Sequence, residues 1–250
     1  MANTTIFTKE LTPGFYPSYD NGKTGGKNDH FMAIGYYPGR GYLYFKNTGE
    51  LVADIVGTCG CVDCSECQKK CYAVSMCKRY REACKHRIEN TLQLRQDIDK
   101  HFIDIQNRII DDRIKVVRYT DSGEIESYRQ FFKLVSLALS LPKVRFYLYT
   151  KNYAVLREYF GGKYPFTLPA NLVVLVSVWG DTGLAEYNEF KHHKNIKAFV
   201  VNSTLKPDAM CPAYKKINGK VKLNKKMTCA RCGLCWGKKP GVNVIGCLEH

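Results

Sequence analysis

No apolar run in this chain is long enough to cross a bilayer. The opening residues, MANTTIFTKELTPG, lack the basic-then-apolar build of a secretory leader. Together these absences argue against a membrane partner and predict a protein of the reducing cytoplasm, where structural disulfides are rare. Acidic residues are also in short supply: 23 Asp and Glu against 38 Lys and Arg leave a net charge of +15. That imbalance points to a polyanionic partner, with a nucleic acid or nucleotide first. The Gly-Gly-Lys at 161–163 has none of the rest of a P-loop, so the commonest phosphate-binding motif is missing. Hydrophobic residues make up 45% of the 250, enough for a core without covalent staples.

What the chain does have is cysteine, twelve in all. Seven fall between Thr58 and Cys84: Cys59, Cys61, Cys64, Cys67, Cys71, Cys77 and Cys84. Four more are Cys211, Cys229, Cys232 and Cys235, the last three in TCARCGLCWG. In a reducing compartment, clustered cysteines signify metal. Two successive two-residue spacers, with an upstream Cys-Pro, match the run that wraps a [4Fe-4S] cubane. Zinc on four thiolates is the rival, although zinc sites more often pair two CxxC knuckles. The first group is over-supplied. Cys61, Cys67 and Cys71 form one three-ligand set, and Cys64, Cys67 and Cys71 another. Cys59, Cys77 and Cys84 read either as ligands of a further site or as small buried residues. A cubane on three cysteines leaves one iron open to a small molecule, whereas four cysteines close it.

Along the chain, residues 1–56 read as an irregular arm and a β-hairpin, with His30–Tyr37 and Gly41–Lys46 joined at Pro-Gly-Arg. Leu51–Val56 reads as a strand leading into the cysteines. A long helix is predicted from Lys78 to about Asp112, on the spacing of Ile98, Phe102, Ile105 and Ile109. Strands at 114–120, 144–150, 172–178 and 198–201 then alternate with helices at 128–139, 153–160 and 184–193. Near-continuous apolar strands between helices predict an α/β fold with a parallel sheet, read as a partial (βα) barrel over 57–206. In such folds the chemistry sits at the C-terminal strand ends. Those ends carry Asp121-Ser122-Gly123-Glu124, Thr150-Lys151-Asn152 and Trp179-Gly180-Asp181. Residues 207–250 have no long apolar segment and read as a small cysteine-rich subdomain that needs metal to fold.

These features resemble the radical S-adenosylmethionine (radical SAM) enzymes. Cys71-Tyr72-Ala73 looks like the end of their cysteine loop, and Ser122-Gly123-Glu124 sits where they have a Gly-Gly-Glu segment. The chain is more closely similar to a phage and bacterial family, the "gene eighty-eight product" proteins, in C-x5-C-x3-CYA, RYTDSGE, FYLYTKN and CARCGLCW. The resemblance implies an open cluster on Cys61, Cys67 and Cys71. It implies contact of Ser122, Gly123 and Glu124 with the methionine part of SAM, and of Thr150, Lys151 and Ser177 with the same pocket. It places an auxiliary cluster on the C-terminal four cysteines. The common superfamily spacing, C-x3-C-x2-C, is absent from the loop, so either the same cluster is held at new spacing or the site holds something else.

Three functions follow as expectations. The first is an iron–sulfur enzyme of radical SAM type, fed electrons by a flavodoxin or ferredoxin and acting on a nucleic acid or nucleotide, in a bacterial or phage-infected host cytoplasm. The second is an iron–sulfur protein without SAM chemistry. The third is a zinc-stabilised nucleic-acid-binding module of a mobile element.

Overall fold

A computed structural model of the chain describes residues 6–8, 13–19, 29–38, 40–45, 51–56, 73, 76, 79–161, 166–224 and 226–249. In chain order the elements begin with β1 (Ile6–Thr8), β2 (Phe31–Ala33), β3 (Arg40–Phe45) and β4 (Leu51–Val56). There follow α1 (Arg81–Gln96), α2 (Ile98–Asp111), β5 (Val116–Tyr119), α3 (Tyr128–Ser140), β6 (Arg145–Thr150) and α4 (Tyr153–Gly161). The chain continues through β7 (Leu172–Trp179), α5 (Leu184–Phe190), β8 (Ile196–Val201), β9 (Ala209–Met210), β10 (Tyr214–Ile217), β11 (Lys220–Leu223), α6 (Cys229–Cys232) and β12 (Val244–Gly246). No helix among the described residues is long and apolar enough to cross a membrane.

Seven strands pair in the order β2-β5-β6-β7-β8-β12-β9, all parallel. The first five follow chain order, so each crossover steps to the next strand. Right-handed crossovers in one direction lay their helices on one face. Residue parity bears this out. Val117, Tyr119, Phe146, Leu148, Val174, Val176, Ala198 and Val200 pack with Phe102, Ile105, Phe131, Leu134, Leu156 and Phe190 of the helices. The alternate residues Val116, Tyr147, Val173, Leu175 and Val201 pack instead with Cys211, Ala213, Leu234 and Cys247. One face is therefore covered by helices and the other by the C-terminal segment.

Three elements differ from expectation. The hairpin joins β3 to β4, not His30–Tyr37 to Gly41–Lys46. β2 instead enters the main sheet beside β5, with Phe31 in register with Val116. The reason is visible in residues 31–37: all are buried, as in a strand covered on both faces rather than a ribbon with one wet side. Leu51–Val56 is a strand leading into the cysteines, as expected, but it pairs with β3, and β2 supplies the main sheet's strand upstream of them. The long helix is in fact two. Asp97 is extended (φ −149°, ψ 87°) and its carboxylate accepts from the Lys100 N–H at 2.9 Å, capping α2. Within residues 207–250, β9 and β12 join the main sheet, while β10 and β11 form a separate antiparallel ribbon.

Candidate functional site

The helix-free face carries the C-terminal cysteines. β9 delivers Cys211 to it, and the Cys211 N–H donates to Gly246 O at 2.6 Å. Thr228 caps the single turn of α6, which presents Cys229 and Cys232. Gly233 then turns the chain in a left-handed conformation (φ 71°), where a Cβ would lie 2.4 Å from Lys238 Cβ. Trp236 Nε1 donates back to Cys229 O at 3.2 Å, closing the loop around Cys235. Cys211, Cys229, Cys232 and Cys235 line one cavity with Tyr149 and Phe199, about 400 Å³ including its mouth to solvent. No disulfide joins any of the six described cysteines. Among the described residues no three His, Cys, Asp or Glu side chains are gathered as a single metal ion requires.

The sheet supplies polar groups to this cavity. Tyr149 donates its hydroxyl to Cys235 Sγ at 3.0 Å. The Arg118 guanidinium lies over the Tyr149 ring, 4.9 Å from its centre. Tyr147 is fully buried, and its hydroxyl lies beside the Cys229 sulfur without a hydrogen bond of normal geometry among the described residues. Burial raises the Tyr147 pKa, and the nearby Cys229 sulfur raises it further. Burial likewise pushes the Cys235 thiol up to about 12, with Cys229 adding and Tyr149 opposing. The Cys232 thiol is raised chiefly by the same cause. Without a cation these sulfurs stay protonated at neutral pH; metal binding would displace the protons. Lys197 Nζ, whose pKa burial lowers, donates to Val242 O at 2.6 Å and Leu234 O at 3.4 Å, holding the loop over β8.

The strand-end residues form a second group. Past β5, Thr120 adopts φ 59°, a costly conformation for a β-branched residue. Gly180 after β7 and Asn202 after β8 leave the sheet in the same left-handed way. The Thr120 hydroxyl reaches the carbonyl of Tyr149, 3.0 Å away on β6. Ser122 Oγ donates to Tyr36 O at 2.8 Å, tying this turn to the chain after β2. Gly35 permits that approach, since a Cβ there would lie 2.7 Å from Ser122 Oγ. The Glu124 carboxylate is buried and accepts from Thr150 Oγ1 (2.7 Å), the Lys151 N–H (2.7 Å) and the Ile125 N–H (2.9 Å). Burial raises its pKa to about 7, against the pull of those three donors.

The structure thus brings Ser122, Gly123, Glu124, Thr150 and Lys151 together at two neighbouring strand ends. Ser177 stands on the next strand, one residue beyond Val176, the register partner of Thr150. Its carbonyl accepts from the Tyr153 hydroxyl at 3.0 Å. Cys61, Cys64, Cys67 and Cys71, with Cys59 and Cys77, lie outside the described residues. Ala73, two residues along the chain from Cys71, is buried, and its carbonyl accepts from Arg87 Nη1 at 3.4 Å. Cys84 is buried on α1.

Sequence reasoning names Asp121 but misses the arginines through which it connects the two groups. The Asp121 carboxylate pairs with Arg118 at 3.1 Å and Arg87 at 3.5 Å. Arg118 therefore touches both the strand-end turn and the ring of Tyr149. A signal for them exists. Arg118 in VVRY and Lys197 in IKAFVV are charges inside strands with both faces covered, and a charge there requires a partner.

No curated protein and no solved structure matches the chain. A protein family does, over residues 21–238, which include the turn after β5, the strand-end residues and all four cysteines of the cavity. On that match the chain belongs to the Gene product 88 family.

Proposed function

We propose that this protein is an iron–sulfur enzyme of radical SAM type that acts on a nucleic acid or nucleotide. The observation that carries the reading is the cavity on the helix-free face, where four cysteines meet a buried tyrosine hydroxyl that makes no hydrogen bond of normal geometry among the described residues. One zinc ion draws four sulfurs to about 2.3 Å from a single centre. A cubane gives each sulfur its own iron, so its ligands stand farther apart. Four cysteines on one cavity, three of them set by two-residue spacers, are the number and spacing that wrap a cubane. An orphaned buried hydroxyl costs stability. The sulfides of a cluster are acceptors that would satisfy Tyr147, as Cys235 satisfies Tyr149.

The sheet supports the finer part of the reading. Parallel strands in sequential order, with helices on one face, are the arrangement of a partial (βα) barrel, whose chemistry lies at the C-terminal strand ends. Cys61, Cys67 and Cys71, or Cys64 in place of Cys61, would hold an open [4Fe-4S] cluster there. A reduced cluster of that kind supplies the electron that cleaves SAM. Ser122, Gly123, Glu124, Thr150, Lys151 and Ser177 would border the SAM pocket. Arg118 and Arg87 fix the turn that carries three of them by holding Asp121.

A second reading, an iron–sulfur protein without SAM chemistry, is favoured by Glu124. Its carboxylate already accepts from three donors inside the protein, so less of it remains for an ammonium group. One experiment separates the readings. Anaerobically purified protein is assayed for iron, sulfide and zinc, then reduced and given SAM. Iron and sulfide with formation of 5′-deoxyadenosine is the expected result. Iron and sulfide without that product select the second reading. Stoichiometric zinc without sulfide overturns both.

A further inference from the structure

The chain that follows the first cysteine of the cavity is unlike the rest of the molecule in charge. Residues 209–248 contain nine Lys or Arg and no Asp or Glu, so most of the net charge of +15 resides in this stretch. The acids that bracket it accept hydrogen bonds away from the lysines of the stretch. Asp208 accepts from the Asn243 and Val244 N–H groups at 2.8 and 2.9 Å, and Glu249 accepts from Asn202.

Within the stretch, β10 and β11 form a two-stranded ribbon closed by Asn218-Gly219, both left-handed (φ 51° and 74°), as a tight hairpin turn requires. Lys215 stands directly opposite Lys222, and Ile217 opposite Lys220. Strand alternation therefore puts Lys215, Lys220 and Lys222 on one face, with Lys216 on the other. All four are exposed. Like charges directly across a strand pair are destabilising by themselves, and a phosphate between them reverses the sign.

The base of the ribbon is anchored, and among the described residues nothing lies within 4 Å of a Cβ built on Gly219 at its tip. Asn224 closes it, its N–H donating to Ala213 O at 2.7 Å and its side-chain amide to Pro212 O at 3.1 Å. Pro212 and Ala213 themselves border the cysteine cavity. A basic ribbon projecting from a fixed base suits a groove about 12 Å wide, which admits a two-stranded β-ribbon.

We infer that the β10–β11 ribbon is a nucleic-acid docking element, with Lys215, Lys220 and Lys222 contacting backbone phosphates. The inference deepens the nucleic-acid part of the proposed function, on which it rests, and is independent of its redox part. The partner is a nucleic acid rather than an anionic lipid surface, because the lysines are borne on a narrow ribbon that presents charge on both of its faces.

The test uses the full chain with its metal content assayed separately, so that loss of iron and loss of docking are distinguishable. Binding to a fluorescein-labelled duplex, and to a single strand of the same sequence, is measured by anisotropy across a salt series. A triple variant, Lys215→Gln with Lys220→Gln and Lys222→Gln, is compared with a control triple at Lys115, Lys143 and Lys194, also exposed and changed to Gln. The ribbon variant is expected to bind at least about tenfold more weakly. Its salt slope on duplex is expected to fall by about 0.9 for each phosphate that the ribbon no longer neutralises. The control triple keeps wild-type affinity, and circular dichroism of both matches wild type. Equal weakening in the two triples would overturn the inference in favour of diffuse charge. Wild-type protein that binds neither nucleic acid, or that binds only phosphatidylserine vesicles, would overturn it outright.

Discussion

The two faces of the main sheet are built from the same strands yet held by different forces. The helix-covered face is a continuous apolar core in which Phe131, Phe146, Leu148 and Val174 are wholly buried. Such burial drives folding without help from any ligand. The opposite face mixes apolar packing with Arg118, Tyr147, Tyr149, Lys197 and four thiols over a cavity. Polar groups at that density stabilise a fold only when each has a partner. The contrast teaches that the helix side sets the fold, while the cysteine side carries polar and sulfur groups that an apolar core would leave out.

The comparison breaks first at Phe131. It is fully buried and packs edge-on against Tyr159 at 5.0 Å. Phe131→Ala is expected to cost about 3–5 kcal/mol in urea unfolding, equally with and without bound metal. A cost that depended on metal would mean the two faces are not independent.

Glu124, at the strand ends, gives the next effect. Its pKa in the fold is raised from 4.5 to about 7 by burial. Between those values the native state holds a proton that the unfolded chain has released, so this group's contribution to stability falls as pH rises from about 4.5 to about 7. The span corresponds to about 3 kcal/mol. His101 titrates with the opposite sign in an overlapping window, because burial lowers its pKa from 6.5 to about 4. The clean measurement is therefore the difference between wild type and Glu124→Gln. That difference should shift by about 3 kcal/mol in favour of the variant between pH 4.5 and 7, as read by urea unfolding at each pH. A constant difference across the window would show that the carboxylate stays ionised throughout.

The smallest effect tests the cysteine face directly. Tyr149→Phe keeps the ring beneath Arg118 and removes the hydroxyl that donates to Cys235 Sγ. The expected cost is about 1 kcal/mol. If the cavity holds the proposed metal, that metal should also escape faster to a chelator, which a purely structural hydroxyl would not cause.

Much of this is legible without coordinates. The strands from β5 to β8 and the helices between them follow from apolar runs and helical spacing, because those signals are local. Proximity in sequence favours Gly41–Lys46 as the neighbour of β2, whereas its true partner β5 lies some eighty residues away. The break at Asp97 escapes a periodicity argument because a single capping aspartate leaves the spacing of Phe102, Ile105 and Ile109 intact. At the candidate site, the cysteine spacing and the Ser122–Glu124 turn stand out by residue type. Tyr147 and Tyr149 do not, since their roles depend on which face each residue points to.

The sequence alone determined that this is a parallel α/β protein whose cysteines are set in two groups and whose positive charge gathers near the C-terminus. Spacing, apolar periodicity and charge count are properties of neighbours along the chain. Only the tertiary structure decided that Cys211, Ala213, Leu234 and Cys247 lie on the helix-free face, that Glu124 is held by Thr150 and Lys151, and that Arg118 joins the strand-end turn to the cysteine cavity. Those facts rest on contacts between residues far apart in the chain. Their partners are chosen by burial and hydrogen-bond geometry, which no local pattern encodes.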